Sequence, residues 1–127
     1  MLVVADEKPL LNAIKKKLEA SGVSILAARN AEQAYNYVED ISGISAVWLD
    51  HYLLGKESGL DFAAKCKKTG SPGNHIPIYV VSNTVSSDKV QTYLRFGVEK
   101  YFVKAENRLD EIIEEIQKFL VVGSKRE

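Results

Sequence analysis

Cysteine is nearly missing from this sequence: Cys66 stands alone, so no internal disulfide can form, and no Cys/His spacing matches a zinc site. Neither sign of charge is in excess, because 17 Lys and Arg balance 17 Asp and Glu. A general nucleic-acid or membrane-surface binder needs a basic surplus, so the balance argues against that class. No apolar run approaches the ~20 residues that span a bilayer, and nothing like a signal peptide opens the chain. Internal repeats and low-complexity segments are also missing. What is present is 127 residues, 46% of them hydrophobic, enough for one domain with a sizeable core. The expectation is a small soluble domain from a reducing cytosol.

Five short apolar runs alternate with five longer segments of helical period. The runs are Leu2–Ala5, Ser24–Ala28, Ser45–Leu49, Ile76–Val81 and Lys100–Val103. They are continuous in hydrophobicity, as strands buried on both faces of a parallel sheet should be. Between them, Leu10, Leu11, Ile14 and Leu18 form one helical stripe, with Lys15–Lys17 read as a solvated face. Ala31, Ala34, Tyr35, Val38 and Ile41 form a second, and Leu109, Ile112, Ile113, Ile116, Phe119 and Leu120 the clearest. Gly22 and Gly97 stand where helices end, and Asn30 stands where one begins. Residues 1–122 read as the domain, and Gly123–Glu127 as a polar tail or cut linker. Strict β/α alternation predicts an α/β, doubly wound five-stranded parallel sheet with helices on both faces.

In such sheets a site lies beyond the carboxyl ends of the strands. There the sequence places Asp6-Glu7 after the first strand, Asp50 after the third, Ser82-Asn83-Thr84 after the fourth and Lys104 after the fifth. Clustered carboxylates repel one another unless a cation compensates. A hard ion such as Mg²⁺, held by one or two carboxylates with waters and a phosphate, answers that need.

These residues resemble the receiver domain of bacterial two-component response regulators, along essentially the whole chain. The matching stretches are Leu2-Val3-Val4-Ala5-Asp6-Glu7-Lys8-Pro9, Val47-Trp48-Leu49-Asp50 with Ser58-Gly59-Leu60-Asp61, Ile78-Tyr79-Val80-Val81-Ser82, and Tyr101-Phe102-Val103-Lys104. The resemblance implies a CheY-like, flavodoxin-like strand order of 2-1-3-4-5. It makes Asp50 the phosphoryl acceptor, fed by a histidine kinase or phosphotransfer protein in a His-Asp phosphorelay. It gives Mg²⁺ to Asp6, Asp50 and the backbone carbonyl of Tyr52. Ser82 becomes the hydroxyl that bonds the phosphoryl group, Lys104 its cationic partner, and Tyr101 the aromatic switch that follows Ser82. Output would pass to a downstream protein or a second copy through Ser87–Phe96, Lys100–Val103 and Leu109–Leu120. The implied activity is confined to the domain's own phosphotransfer and dephosphorylation, in the cytoplasm, with no nucleic acid or membrane bound.

The sequence departs from that pattern in places. Ala5 replaces the first of two adjacent acids, a change that weakens a metal site rather than abolishing it; lost outer partners cost roughly 10–100-fold. Glu7 is a candidate substitute. Ala105 follows the lysine where a cis proline is usual, Asn83 takes a place usually held by a small residue, and Leu54 stands where proline is common. Ala5 and Ala105 sustain an alternative, a degenerate receiver acting as an unphosphorylated interaction module. A flavin-binding reading of the same architecture fails, because Asp6-Glu7-Lys8-Pro9 replaces the glycine- and hydroxyl-rich loop it needs. His51, His75 and Cys66 read as incidental or packing residues, and Trp48 as core.

Overall fold

The structure, a computed structural model, describes residues 1–20, 22–51, 53, 57–83 and 86–125, with the side chains of 120–125 left aside. Tyr52, Leu54 and Thr84, singled out above, lie outside the described residues, as do Arg126 and Glu127. The elements run β1 (Leu2–Val4), α1 (Lys8–Ala20), β2 (Leu26–Ala28), α2 (Ala31–Asp40), β3 (Val47–Leu49), α3 (Gly59–Cys66), β4 (Ile78–Ser82), α4 (Ser87–Arg95), β5 (Lys100–Val103) and α5 (Leu109–Lys125). All pairings are parallel, in the order β2-β1-β3-β4-β5, as expected.

The period of two along each strand divides the core. Leu2, Val4, Val47, Leu49, Ile78 and Val80 face one way, onto Ala34 and Val38 of α2, Phe62 and Ala63 of α3 and Tyr93 of α4. Val3, Ala5, Trp48, Tyr79, Val81 and Phe102 face the other way, onto Leu11, Ile14 and Leu18 of α1 and Ile112, Ile113 and Ile116 of α5. Three helices therefore cover one face and two the other, and the apolar runs are continuous because both faces are buried.

Helix ends follow local chemistry. The Asn30 side chain accepts from the Gln33 amide at 2.7 Å and starts α2. Asp61 Oδ2 accepts from the Ser58 amide at 2.7 Å, closing the first turn of α3. Gly22 and Gly97, at φ of 86° and 92°, leave α1 and α4 through the left-handed region.

Boundaries differ from expectation at the strand ends. β2, β3 and β4 each start two residues later than the apolar runs, while β1 and β5 start where expected; the Ala46 and Pro77 carbonyls still accept from Leu2 and Val47 and carry the pairing outward. Pro77 has no N–H to return. At the other end β4 keeps Ser82, because Ser82 is in register with Val103 and its carbonyl accepts from the Lys104 amide at 2.9 Å. Helix α5 continues to Lys125, past Gly123.

Candidate phosphoryl-acceptor site

β1 and β3 are neighbours, with Val4 opposite Leu49. Asp50 is held at the end of β3 by its amide, which donates to the Val4 carbonyl at 2.9 Å. Its side chain is buried, yet Lys104 reaches it from the end of β5: Nζ donates to Asp50 Oδ2 at 3.1 Å. The lysine side chain is partly exposed. Ser82 is wholly buried at the end of β4, and strand period turns it to the same face as Ile78 and Val80. Asp6 lies half-buried just beyond β1, where its backbone carbonyl accepts from Arg29 Nη2 at 3.0 Å. Asp6, Asp50, Ser82 and Lys104 thus all stand at the carboxyl edge of the sheet, although they are spread over nearly the whole chain.

Asp6 and Asp50 offer hard oxygen donors from adjacent strand ends, which suits a small divalent ion that keeps several waters. Among the described residues no three His, Cys, Asp or Glu side chains form a metal-holding group. Glu7 is exposed just before α1. At position 5 the alanine methyl is fully buried in the core facing α1 and α5. The third implied ligand, the Tyr52 carbonyl, lies outside the described residues.

The turn after β5 closes without proline and, among the described residues, without a cis bond. The Val103 carbonyl accepts from the Glu106 amide at 3.0 Å, and from the Asn107 amide and Asn107 Nδ2 at 3.1 Å each. That triple acceptance fixes the backbone beside Lys104 and makes Ala105 tolerable there. Asn83 is exposed.

Sequence reading missed a contact beside the acceptor. His51 is buried, and its Nδ1 lies 2.6 Å from the Tyr93 hydroxyl of α4. Desolvation, and then the Lys89 charge, lower its pKa, while Asp50 and Asp61 pull it up. A neutral imidazole and a hydroxyl each have a donor and an acceptor, so this bond forms with either tautomer. Forty-two positions separate the two residues, and no motif in the chain links them. Tyr101 is partly buried, with its ring centroid 5.7 Å from that of Tyr93.

The family model for the response regulator receiver domain matches residues 1–117. The chain belongs to that family: it is a receiver domain of two-component signalling, a class that takes phosphoryl groups from histidine kinases or phosphotransfer proteins. Among solved structures it is similar to a CheY-like receiver domain protein from Methanospirillum hungatei, at 22% identity, a TM-score of 0.84 and coverage of 99% of this chain and 96% of that one. The phosphorylated cyanobacterial phytochrome response regulator RcpA is similar at 24% identity and a TM-score of 0.83, over 94% and 91% of the two chains. The Mn²⁺-bound response regulator Rcp1 matches at 22% identity and a TM-score of 0.75, over 92% and 88%. Comparison with curated proteins gives no match.

Proposed function

We propose that this domain is a phosphorylation-controlled switch whose acceptor is Asp50. The observation that carries the reading is the Lys104–Asp50 bond at 3.1 Å, at a strand edge that also holds Asp6 and the buried Ser82. In the proposed step an Asp50 carboxylate oxygen attacks phosphorus in line as the N–P bond of a phosphohistidine breaks. The imidazole leaves with the electron pair of that bond, and an acyl phosphate forms on Asp50. The protein contributes position and charge, which this reaction chiefly demands. Lys104 moves its hydrogen bonds from the carboxylate to the phosphoryl oxygens, and the Ser82 hydroxyl donates to another of them. Asp6 and Asp50, with the Tyr52 carbonyl, would hold Mg²⁺, which when bound supplies further neutralisation of phosphoryl charge. The Mn²⁺ of Rcp1 and the phosphorylated state of RcpA lend support by likeness of fold.

Hydrolysis of the acyl phosphate resets the domain, and no other substrate is turned over. Output runs through Ser82 and Tyr101 to the face made by α4, β5 and α5, where a downstream protein or a second copy docks. The setting that goes with this reading is cytoplasmic, as the family resemblance implies. Among the described residues no helix is long and apolar enough to cross a membrane. The test is mass spectrometry after incubation with acetyl phosphate. Uptake of one phosphoryl group that needs Mg²⁺ and is lost in Asp50→Asn supports the reading. No uptake in the unmodified chain at millimolar Mg²⁺ leaves the degenerate interaction module in its place.

A further inference from the structure

Helix α4 is weakly seated. It has nine residues, too few to be stable in isolation. Tyr93 is its only buried side chain, whereas Leu94 is exposed, as is Phe96 just past its end. Tyr93 makes two contacts that bear on function. Its hydroxyl meets His51 Nδ1 at 2.6 Å, with the two rings edge-to-face at 5.7 Å. Its ring also lies against Tyr101, tilted by 52°.

The surroundings leave the hydroxyl little freedom. The His51 carbonyl accepts from the Gly59 amide at 2.8 Å, which ties the acceptor segment to the start of α3. A Cβ at Gly59 would come within 2.5 Å of the Asp50 carbonyl oxygen, 2.9 Å of the Tyr93 hydroxyl and 3.0 Å of the His51 Cα. The Asp50–His51 backbone, the first residue of α3 and the Tyr93 hydroxyl therefore meet at a point where a single methyl has no room. A displacement of Asp50 reaches His51 through one peptide unit, and α4 through one hydrogen bond.

We infer that His51 and Tyr93 are positioning residues: their hydrogen bond latches α4 to the acceptor segment and holds the Tyr93 ring as the inner wall against which Tyr101 rests. Rearrangement at Asp50 then reaches α4 directly, in addition to the route through Ser82. The inference rests on the proposed acceptor role of Asp50 for its signalling meaning, but the latch itself exists in the unphosphorylated chain. Tyr93 touches no reacting atom, so the effect belongs to transmission.

Hydrogen exchange on Tyr93→Phe, His51→Phe and the double variant tests this. Phenylalanine keeps the Tyr93 ring and removes only its hydroxyl. In the ligand-free protein, Ser87–Arg95 amides should exchange about tenfold faster in Tyr93→Phe, with Lys8–Ala20 unchanged. The double variant should be no faster than the faster single one, because both remove the same bond. With beryllofluoride and Mg²⁺, the change in α4 exchange should shrink at least about threefold in Tyr93→Phe, while phosphoryl uptake from acetyl phosphate stays within about twofold. Unchanged α4 exchange, or strictly additive effects in the double variant, overturns the latch. An undiminished beryllofluoride response in Tyr93→Phe overturns its role in transmission. Should His51→Phe lose its fold, exchange of α1 rises as well, and the same cycle with His51→Leu decides by additivity. Failure of the acceptor reading appears separately, as no phosphoryl uptake in the unmodified chain.

Discussion

Lys104 Nζ donates to Asp50 Oδ2 at 3.1 Å across 54 positions of sequence, and the two partners are unequally buried. The carboxylate is 6% exposed and the ammonium side chain 24%. That asymmetry sets which loss matters more.

Removing Lys104 leaves a buried charge without its cation, whereas removing the Asp50 charge leaves an ammonium that water can reach. Lys104→Met should therefore destabilise the fold by about 1–3 kcal/mol, below the roughly 3–5 of a fully enclosed pair because Lys104 is partly solvated. Asp50→Asn should cost under about 1 kcal/mol. The double variant should cost less than the sum of the two. Urea denaturation of the three proteins measures this, and equal costs for the single variants contradict it.

Position 5 has a matching consequence. An acid placed there enters a core formed by Val3, Leu11, Ile14 and Trp48. Ala5→Asp should lose about 1–3 kcal/mol in metal-free buffer. It should then bind Mg²⁺ about tenfold more tightly, from the added outer carboxylate, and regain stability as Mg²⁺ rises. Trp48 suits the titration, since it and Lys104 line one hollow of about 170 Å³ and its Nε1 lacks a hydrogen-bond partner among the described residues. Equal Mg²⁺ affinities would show that Ala5 is not what limits the site.

Gly59→Ala should destabilise the protein by about 1–3 kcal/mol, since its methyl meets backbone atoms of Asp50 and His51 that cannot turn aside. It should also slow phosphoryl uptake by displacing the acceptor segment. Thermal unfolding and acetyl phosphate kinetics report the two effects, and a variant with normal values in both contradicts the close packing at this point.

The lone cysteine gives a pH prediction. Burial raises the Cys66 thiol from 9.0 to about 11, against a smaller opposite pull from Lys67. A group with a raised folded pKa contributes stability that is fully present below pH 9 and lost as pH climbs through 11. The loss is about 1.4 kcal/mol per pH unit within that window. Cys66→Ala, compared at each pH, should lack this component of the slope. A thiol reagent at pH 8 should also label the native chain far more slowly than the unfolded one. Equal labelling rates contradict the burial.

The fold was legible in the sequence because a parallel sheet covered on both faces demands continuous apolar strands. Val3 and Val4 face opposite cores, yet both must be apolar. Asp6, Asp50, Ser82 and Lys104 stood out because each is a polar interruption at the end of such a run. Strand limits were less legible, since pairing through the Ala46 and Pro77 carbonyls extends past the residues that form the ladder proper. Ser82 joined β4 through its pairing partner Val103, a relation between distant segments. The His51–Tyr93 bond was hidden for the same reason: each residue is unremarkable in its local context, and only the packing of α4 across the acceptor segment brings them together.

The most direct measurement is chemical location of the phosphoryl group. After treatment with acetyl phosphate and Mg²⁺, borohydride reduces an acyl phosphate to an alcohol, and peptide mapping finds the altered side chain. The account predicts one reduced position, Asp50, with none in protein treated without Mg²⁺. Reduction at Asp6 or Asp61 instead, or at no residue of a chain that carries phosphoryl mass, would contradict it.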